Sequence, residues 1–195
     1  MRYEIVVVGT SWGGLNALRT LVGALPGDFA VPLVLVQHRH RESNQLLATL
    51  LQERTPLRVC EVEDKAPIEP GRVYVAPADY HLLIDRGTFS LSTDEPVRFS
   101  RPSINVTFQS AADSYAEHAI GIVLTGANAD GAIGLRRIAD RGGVAVVQDP
   151  ATAESGTMPA AALKAVPTAR AMKIEEIARF LATIGAGPAA HTASR

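Results

Sequence analysis

The feature of this sequence that most restricts its fold is a series of almost uninterrupted apolar runs separated by helical patterns. Residues 3–8 and 31–36 are two such runs, and residues 15–25 between them repeat apolar side chains at helical spacing. Strands that are apolar at nearly every position are typical of parallel sheets covered by helices on both faces. The alternation therefore predicts a three-layer α/β fold, with a doubly wound, mainly parallel sheet between two layers of helices.

The same alternation continues through the rest of the chain, with one different region in the middle. Residues 82–85 and 88–92 flank Arg86-Gly87, which predicts a small antiparallel hairpin at one edge of the sheet. Residues 72–76 are strand-like and belong to this middle region, whose antiparallel pieces we expect at one edge of the sheet. The other predicted strands are residues 57–62, 120–125 and 144–148. The other predicted helices are residues 45–54, 103–118 (with Ser103 as N-cap), 130–141, 159–165 and 174–184.

Size and composition agree with one such domain and exclude several classes of function. The chain has 195 residues, of which 47% are apolar, enough for one sizeable core. Its 19 basic and 20 acidic residues nearly balance, so no overall field favours nucleic acid or a membrane surface. No apolar run approaches the roughly 18 residues of a membrane span. We therefore expect no nucleic-acid partner and no membrane insertion.

Two features predict a cytoplasmic protein. Cys60 is the only cysteine, so no internal disulfide can form, and its place in a predicted strand favours a buried, unreactive thiol. Glu4 interrupts the first apolar run and no cleavage-type site follows, so we expect no signal peptide. We expect residues 1–185 to form the domain and residues 186–195 to form a flexible tail.

Three polar side chains follow predicted strands at the points where those strands end. Ser11 follows the first strand, His38 the second, and Asp130 the strand at residues 120–125. Ligands of open parallel sheets bind at the carboxyl ends of the strands. A hydroxyl, an imidazole and a carboxylate at this edge are the groups that nucleophilic acyl transfer requires. The pattern predicts a catalytic Ser11, His38 and Asp130, and it needs no metal and no organic cofactor.

The turn around Ser11 supports the role of a nucleophile. The residues from Gly9 to Gly13 fit the G-x-S-x-G spacing of a nucleophile elbow, in which glycines permit a sharp strand-to-helix turn. The hydroxyl then lies at a helix N-terminus, where free N–H groups suit a developing oxyanion. Taken singly, Ser11 and Asp130 are equally well explained as helix N-caps, and His38 as a structural residue at a strand end.

Two alternatives use the same region. Gly9-x-Ser11-x-x-Gly14 is one substitution away from the dinucleotide fingerprint, and Arg39 and Arg41 lie where a 2′-phosphate of NADP would bind. Against it, serine replaces the middle glycine, and His38 stands where an acidic residue would bind a ribose. Metal binding by His38 and His40 is the second alternative, but the spacing supplies no clear further ligand.

Several separated stretches together resemble a known family. They are residues 8–14 (VGTSWGG), 36–38 (VQH), 71–77 (GRVYVAP), 101–106 (RPSINV), 124–126 with 130–131 (LTG and DG) and 156–159 (GTMP). In this order, over residues 5–181, they resemble the catalytic domain of the chemotaxis protein-glutamate methylesterases, the CheB family. In that family a serine, a histidine and an aspartate form a catalytic triad, and by position these are Ser11, His38 and Asp130.

The resemblance implies an esterase that removes methyl groups from glutamates of a methyl-accepting chemoreceptor-like protein, with related glutamine deamidation. It also implies an oxyanion hole from the backbone N–H groups of Trp12 and of Ala127, and a substrate-binding Arg101. No cofactor is implied. The first predicted strand begins at residue 3, so we expect no receiver domain ahead of it.

The sequence departs from the family pattern at two loops of the expected site. Trp12 replaces the usual threonine after the nucleophile, and Ala127 and Asn128 replace the usual methionine and glycine. A large ring beside Ser11 could cover the site. A binding module without turnover that keeps the fold therefore remains as an alternative to the esterase.

Overall fold

The central element of the protein is one parallel sheet. The structure, a computed structural model, describes residues 3–39 and 46–185, so the predicted tail, residues 186–195, lies outside the described residues. The strands are β1 (Ile5–Thr10), β2 (Leu33–Gln37), β3 (Arg58–Glu61), β4 (Arg72–Val75), β7 (Ala119–Val123), β8 (Val144–Gln148) and β9 (Arg170–Met172). Their order is β3-β4-β2-β1-β7-β8-β9, with every neighbouring pair parallel.

Helices cover both faces of this sheet. They are α1 (Gly14–Gly23), α2 (Leu46–Gln52), α3 (Ile104–Tyr115), α4 (Ala132–Asp140), α5 (Thr157–Ala165) and α6 (Ile174–Gly185). One core contains buried side chains of α1, α2 and α6, and the other contains those of α3, α4 and α5. The predicted three-layer, doubly wound fold is confirmed.

The apolar runs explain why the sheet is buried on both faces. In β1, Val6 and Val8 point into the core of α1, while Ile5 and Val7 point into the core of α3. All four side chains are fully buried. A strand with polar residues at alternate positions would have placed them inside one of these cores.

The predicted hairpin is present, but the expected position at an edge of the parallel sheet is wrong, because the hairpin forms a two-stranded sheet of its own. Strands β5 (His81–Asp85) and β6 (Thr88–Ser92) pair antiparallel around Gly87, whose φ of 83° favours glycine. The hairpin is attached to α3 by side chains of the helix: Thr107 Oγ1 donates to the Leu82 carbonyl over 2.7 Å, and the N–H of Ile84 donates to Ser110 Oγ over 2.9 Å. Helix α3 is thereby held between the hairpin and the sheet.

Three details differ from the sequence-based expectations. Strand β4 lies inside the parallel sheet, between β3 and β2. The chain therefore runs from β2 out to β3 at the edge and then returns, so that β4 lies beside β2. Strand β9 was not predicted, because two of its three residues are exposed and it carries no apolar run. The predicted helix at residues 103–118 ends as α3 at Tyr115, and a 3₁₀ turn, Ala116–His118, follows it.

The connections create one crevice at the carboxyl edge of the sheet. From β1 the chain moves to β2 on one side, while β7, on the other side of β1, continues to β8. The strand order therefore reverses between β1 and β7, which is where open α/β sheets bind ligands. Ser11 follows β1 and Asp130 lies in the loop after β7. Within the described ranges, no helix is long and apolar enough to span a bilayer.

Candidate active site

The turn after β1 presents Ser11 at the start of α1. Gly13 has a φ of 77° and is the residue before the helix. At Gly14 a Cβ atom would collide with the side chains of Gln37 and Thr10, so only glycine fits. The N–H of Ser11 donates to the Thr125 carbonyl over 2.9 Å, which fastens this turn to the end of β7. The sharp strand-to-helix turn predicted from the glycine spacing is therefore present, while Ser11 itself does not have a positive φ.

His38 and Asp130 are in direct contact. His38 Nε2 lies 2.8 Å from Asp130 Oδ2, and the backbone N–H of His38 donates to the Thr10 carbonyl over 3.1 Å. Only 2% of Asp130 is exposed. The structure thus brings two of the three predicted catalytic residues within hydrogen-bond distance at the crevice.

Asp130 accepts hydrogen bonds from several elements at once. Besides His38, its donors are Ser103 Oγ (3.1 Å) and the N–H groups of Ile104 (2.7 Å), Asn105 (3.0 Å) and Gly131 (3.0 Å). Burial would raise the pKa of this carboxyl group, but the hydrogen bonds from His38, Asn105 and Ile104 outweigh it and place the pKa below its usual value. Asp130 is therefore held as a carboxylate.

This arrangement corrects the expected capping of two helices. Ser103 occupies the position before α3, but its hydroxyl makes no capping bond and donates to Asp130 instead. The first N–H groups of α3 are capped by Asp130, which comes from a loop 25 or more residues later in the chain. Asp130 precedes α4, yet its carboxylate serves the N-terminus of α3, where a negative charge is favourable.

The Ser11 hydroxyl has no hydrogen-bond partner within residues 3–39 and 46–185. Ser11 and His38 line one open cleft of about 380 Å³, together with Trp12, Gln37 and Glu154. The second ring nitrogen of His38, Nδ1, lies 3.1 Å from the side-chain Nδ2 of Asn128. Ser11 and His38 thus share a cleft without being bonded to each other.

The two backbone N–H groups expected to form an oxyanion hole belong to the turn of Ser11 and to the loop after β7. The N–H groups of Trp12 and Ala127 have no hydrogen-bond partner in the part of the chain that the structure describes. A Cβ atom on Gly126 would lie 3.0 Å from Ser11 Cβ, so the loop after β7 touches the Ser11 side chain. An oxyanion hole requires N–H donors that are not already bonded, so both groups remain candidates for that role.

Arg101 lines a second cleft that also contains His38. This cleft, of about 450 Å³, includes Phe99 and Asp79. The Arg101 guanidinium binds Asp79 Oδ1 at 2.7 Å and the carbonyls of Thr93 and Asp94 at 2.8 and 3.0 Å. Arg101 therefore shares a cleft with His38 but not the cleft of Ser11. Its charge is paired with Asp79, and it holds the segment that leads to Phe99.

Two exposed aromatic rings lie beside these clefts. Trp12 is 67% exposed, so a role in the core is excluded, and Phe99 is fully exposed. Phe99 (φ 65°) and Arg98 (φ 48°) form a tight turn closed by hydrogen bonds between Val97 and Ser100. A positive φ is unfavourable for a bulky side chain such as phenylalanine, and such strain concentrates at functional sites.

Sequence reasoning assigned no role to Gln37 or Asn128. Gln37 Nε2 donates to the carbonyls of both Ser11 (2.8 Å) and His38 (3.0 Å), so it joins the two loops. Gln37 lies in one of the stretches that carry the family resemblance, whereas Asn128 replaces the glycine that is usual in that family. Both features could be seen in the sequence, but the sequence alone does not indicate which atoms these two side chains contact.

The structure gives little support to the two alternative interpretations, a dinucleotide site and a metal site. The side chain of Arg39 is 6% exposed and binds Glu61 at 2.9 Å and the Ala76 carbonyl, which leaves it poorly placed for a phosphate. Arg41 and His40 lie outside the described residues. Among the residues that the structure does describe, no group of three or more His, Cys, Asp or Glu side chains could hold a metal.

A wider groove of about 960 Å³ lies elsewhere, along the edge strand β3. Cys60 lines it and is half-buried. Burial raises the pKa of the Cys60 thiol, although Arg72 and Arg58 oppose this. A raised thiol pKa lowers the thiolate fraction, which agrees with an unreactive cysteine. This groove contains none of the three predicted catalytic residues.

A doubly wound sheet with a serine, a histidine and an aspartate at its carboxyl edge is an arrangement found in serine hydrolases. Residues 6–181 match the family model for CheB methylesterase, so the chain belongs to that family. Its fold matches the crystal structure of the Thermotoga maritima CheB methylesterase catalytic domain, with a TM-score of 0.89 and 30% sequence identity, over 94% of this chain and all of that one.

Two curated relatives differ in how much of their length the chain covers. A relative from Leptospira interrogans is 46% identical over 181 residues, which are 92% of this chain and 94% of the relative. One from Anaeromyxobacter dehalogenans is 39% identical over 180 residues, but the chain spans only 53% of it. Both names include protein-glutamate methylesterase and protein-glutamine glutaminase.

Proposed function

We propose that the protein is a serine esterase that hydrolyses γ-glutamyl methyl esters on a chemoreceptor-like protein, and that it also deamidates glutamines there. The observation that carries this proposal is that His38 lines the same cleft as an unpaired Ser11 hydroxyl and contacts the buried carboxylate of Asp130. Membership of the methylesterase family and the names of the relatives supply the substrate class.

In the proposed mechanism Ser11 is the nucleophile. His38 Nε2 is hydrogen-bonded to Asp130, so Nδ1 is the ring nitrogen that takes the proton from Ser11. As Ser11 Oγ attacks the ester carbonyl, its O–H bond breaks and an N–H bond forms at Nδ1. The N–H groups of Trp12 and Ala127 stabilise the tetrahedral oxyanion.

The second half of the mechanism releases both products. His38 returns its proton to the methoxide leaving group, so methanol departs and an acyl-serine remains. Water then loses a proton to His38 and attacks the acyl group, and the glutamate is released as Ser11 regains its proton. Deamidation follows the same steps with ammonia as the leaving group. No cofactor is required.

Arg101 and Trp12 act on substrate binding in this proposal. Arg101 holds the segment that carries Phe99 beside His38. The exposed Trp12 ring borders the cleft of Ser11 and limits its width. A slender, extended methyl-glutamate side chain fits such an opening better than a bulky ester.

Residues 1–185 form the methylesterase domain in this proposal, and the protein acts in the cytoplasm. The partner is the methylated helical region of a chemoreceptor-like protein. Neither nucleic acid nor membrane insertion is part of the proposed activity.

The test is methanol release from a methylated cytoplasmic fragment of a chemoreceptor. The protein should release methanol, and Ser11→Ala should release none. Ser90→Ala, which removes a half-buried hydroxyl of the hairpin that bonds only Lys65 and Asp85 among the described residues, should behave as the unaltered protein. A serine-directed phosphonate should label Ser11. Labelling without turnover of any methyl ester or glutamine would instead support the alternative of a binding module, and a tight NADPH complex would support a dinucleotide site.

A further inference from the structure

Asn128 lies between the two residues that orient and accept the proton in the proposed mechanism. Its Oδ1 atom accepts a hydrogen bond from the backbone N–H of Asp130 over 2.9 Å. Its Nδ2 atom lies 3.1 Å from Nδ1 of His38. The side chain therefore bridges the Asp130 backbone and the His38 ring.

The backbone N–H of Asp130 fixes the orientation of the Asn128 side-chain amide. An N–H can only donate, so the atom that faces Asp130 must be the amide oxygen. The amide NH₂ group then faces His38, and Nδ1 must be the acceptor. It follows that the His38 proton is on Nε2, where it is donated to Asp130 Oδ2 over 2.8 Å.

This tautomer is the one that catalysis needs, but its basic nitrogen is already in use. An unprotonated ring nitrogen has a single lone pair in the plane of the ring. The Ser11 hydroxyl has no partner within residues 3–39 and 46–185, and it can donate to Nδ1 only when the Asn128 amide leaves. Two donors thus compete for one acceptor.

We propose that Asn128 is a latch on the general base: a positioning residue that holds His38 in its Nε2–H tautomer at rest and releases Nδ1 when Ser11 reacts. This inference rests on the proposed function, in which His38 is the base. When the Ser11 O–H bond breaks and an N–H bond forms at Nδ1, that nitrogen becomes a donor and no longer accepts from Asn128. The latch closes again only after His38 has passed its proton to the leaving group.

Two substitutions separate this role from a structural one. Asn128→Ser keeps a short acceptor for the Asp130 N–H but has no NH₂ group to reach His38. Asn128→Asp keeps the acceptor as well, but it places a carboxylate oxygen against Nδ1 and draws a proton onto that nitrogen. A residue that only supports the loop would lose activity in the same direction in both variants.

The latch predicts opposite outcomes in the hydrolysis of a small activated ester. Asn128→Ser should raise kcat about two- to tenfold, the range of one neutral hydrogen bond that no longer has to break. Asn128→Asp should lower kcat by at least about tenfold, because the general base is lost. KM should change little in either variant, since the side-chain hydrogen bonds of Asn128 go to His38 and Asp130.

Nitrogen NMR of His38 gives a readout that does not depend on activity. Nδ1 should be an unprotonated acceptor in the unaltered protein, should lose its donor in Asn128→Ser, and should be protonated in Asn128→Asp. Unchanged His38 signals in both variants, or a kcat that does not rise in Asn128→Ser at unchanged thermal stability, would overturn the latch. If Ser11→Ala keeps full esterase activity, the proposed function fails, while the NMR result still decides whether Asn128 holds the ring.

Discussion

The turn around Ser11 and the loop around Asp130 face each other across the crevice and are built in opposite ways. At Ser11 the hydroxyl and the neighbouring Trp12 N–H lack partners among the described residues. At Asp130 the carboxylate accepts bonds from a ring, a hydroxyl and several backbone N–H groups, and it is almost completely buried.

The difference follows from what each group must do in the proposed mechanism. A group that changes its bonds during a reaction must keep a donor or acceptor that is free to interact with the substrate. A group that only orients and stabilises another must not move, and saturating it with hydrogen bonds in a buried place achieves that. The comparison predicts that changes at Ser11 affect activity alone, while changes at Asp130 affect activity and stability together.

The largest expected loss of activity belongs to Ser11→Ala. Esterase activity should fall by about 10⁶-fold, as when a catalytic serine is removed from a triad. The thermal unfolding midpoint should stay the same, because the hydroxyl makes no bond to the described residues. Calorimetry with a small-ester assay checks both, and a destabilised variant would show that the hydroxyl has a structural role.

Asp130→Asn should cost about 10⁴-fold in kcat, because the imidazole loses its orienting carboxylate. It should also lower the free energy of unfolding by about 3 kcal/mol, since an amide NH₂ group would face backbone donors such as those of Ile104 and Asn105. Denaturant titration beside Ser11→Ala measures the contrast. Equal stability of the two variants would contradict the predicted difference between the Ser11 turn and the Asp130 loop.

The pH dependence of stability sharpens the same contrast. The pKa of Asp130 is lower in the folded protein than the usual value of about 3.9 in an unfolded chain. Its stabilisation is therefore complete above that value and is lost as the pH falls through the folded pKa. The stability difference between the protein and Asp130→Asn should stay constant from pH 7 to about 5 and shrink in more acidic solution. A difference that grows in acid would contradict the assigned direction.

Arg101→Lys should have a smaller and more selective effect. Lysine cannot reproduce the fork that binds Asp79 and the carbonyls of Thr93 and Asp94, so the segment that carries Phe99 should loosen. KM for a methylated receptor fragment should rise about threefold, the order of one exposed charge-assisted contact. Hydrolysis of a small ester should not change. Arg98→Lys, in the exposed turn, is the matched control, and an equal effect there would remove the special role of Arg101.

Trp12→Thr should have the smallest effect on the chemistry. The Trp12 N–H remains a donor with any side chain except proline. Because the ring is exposed at the cleft, its removal should speed the hydrolysis of bulkier esters and leave a small activated ester almost unchanged. If small-ester hydrolysis is mostly lost while Ser11 is intact, the ring supports the turn and does not control access.

Much of the fold could be predicted because burial leaves a local signature. The apolar runs that became β1, β2, β7 and β8 were visible, and so was the hairpin around Gly87. Strand β9 was missed because a short, exposed edge strand has no such signature. The place of β4 inside the sheet was also missed, because strand order depends on long connections and not on composition.

The sequence by itself determined the class of fold and the three candidate catalytic positions. Apolar runs at every position must be buried on both faces, and the polar residues that end them must then meet at one edge. Only the tertiary structure decided what those residues touch: that Asp130 caps α3 and not the helix it precedes, that Gln37 joins the Ser11 and His38 loops, and that Asn128 occupies His38 Nδ1. These contacts join residues far apart in the chain, and hydrogen bonding depends on distances that no local pattern encodes.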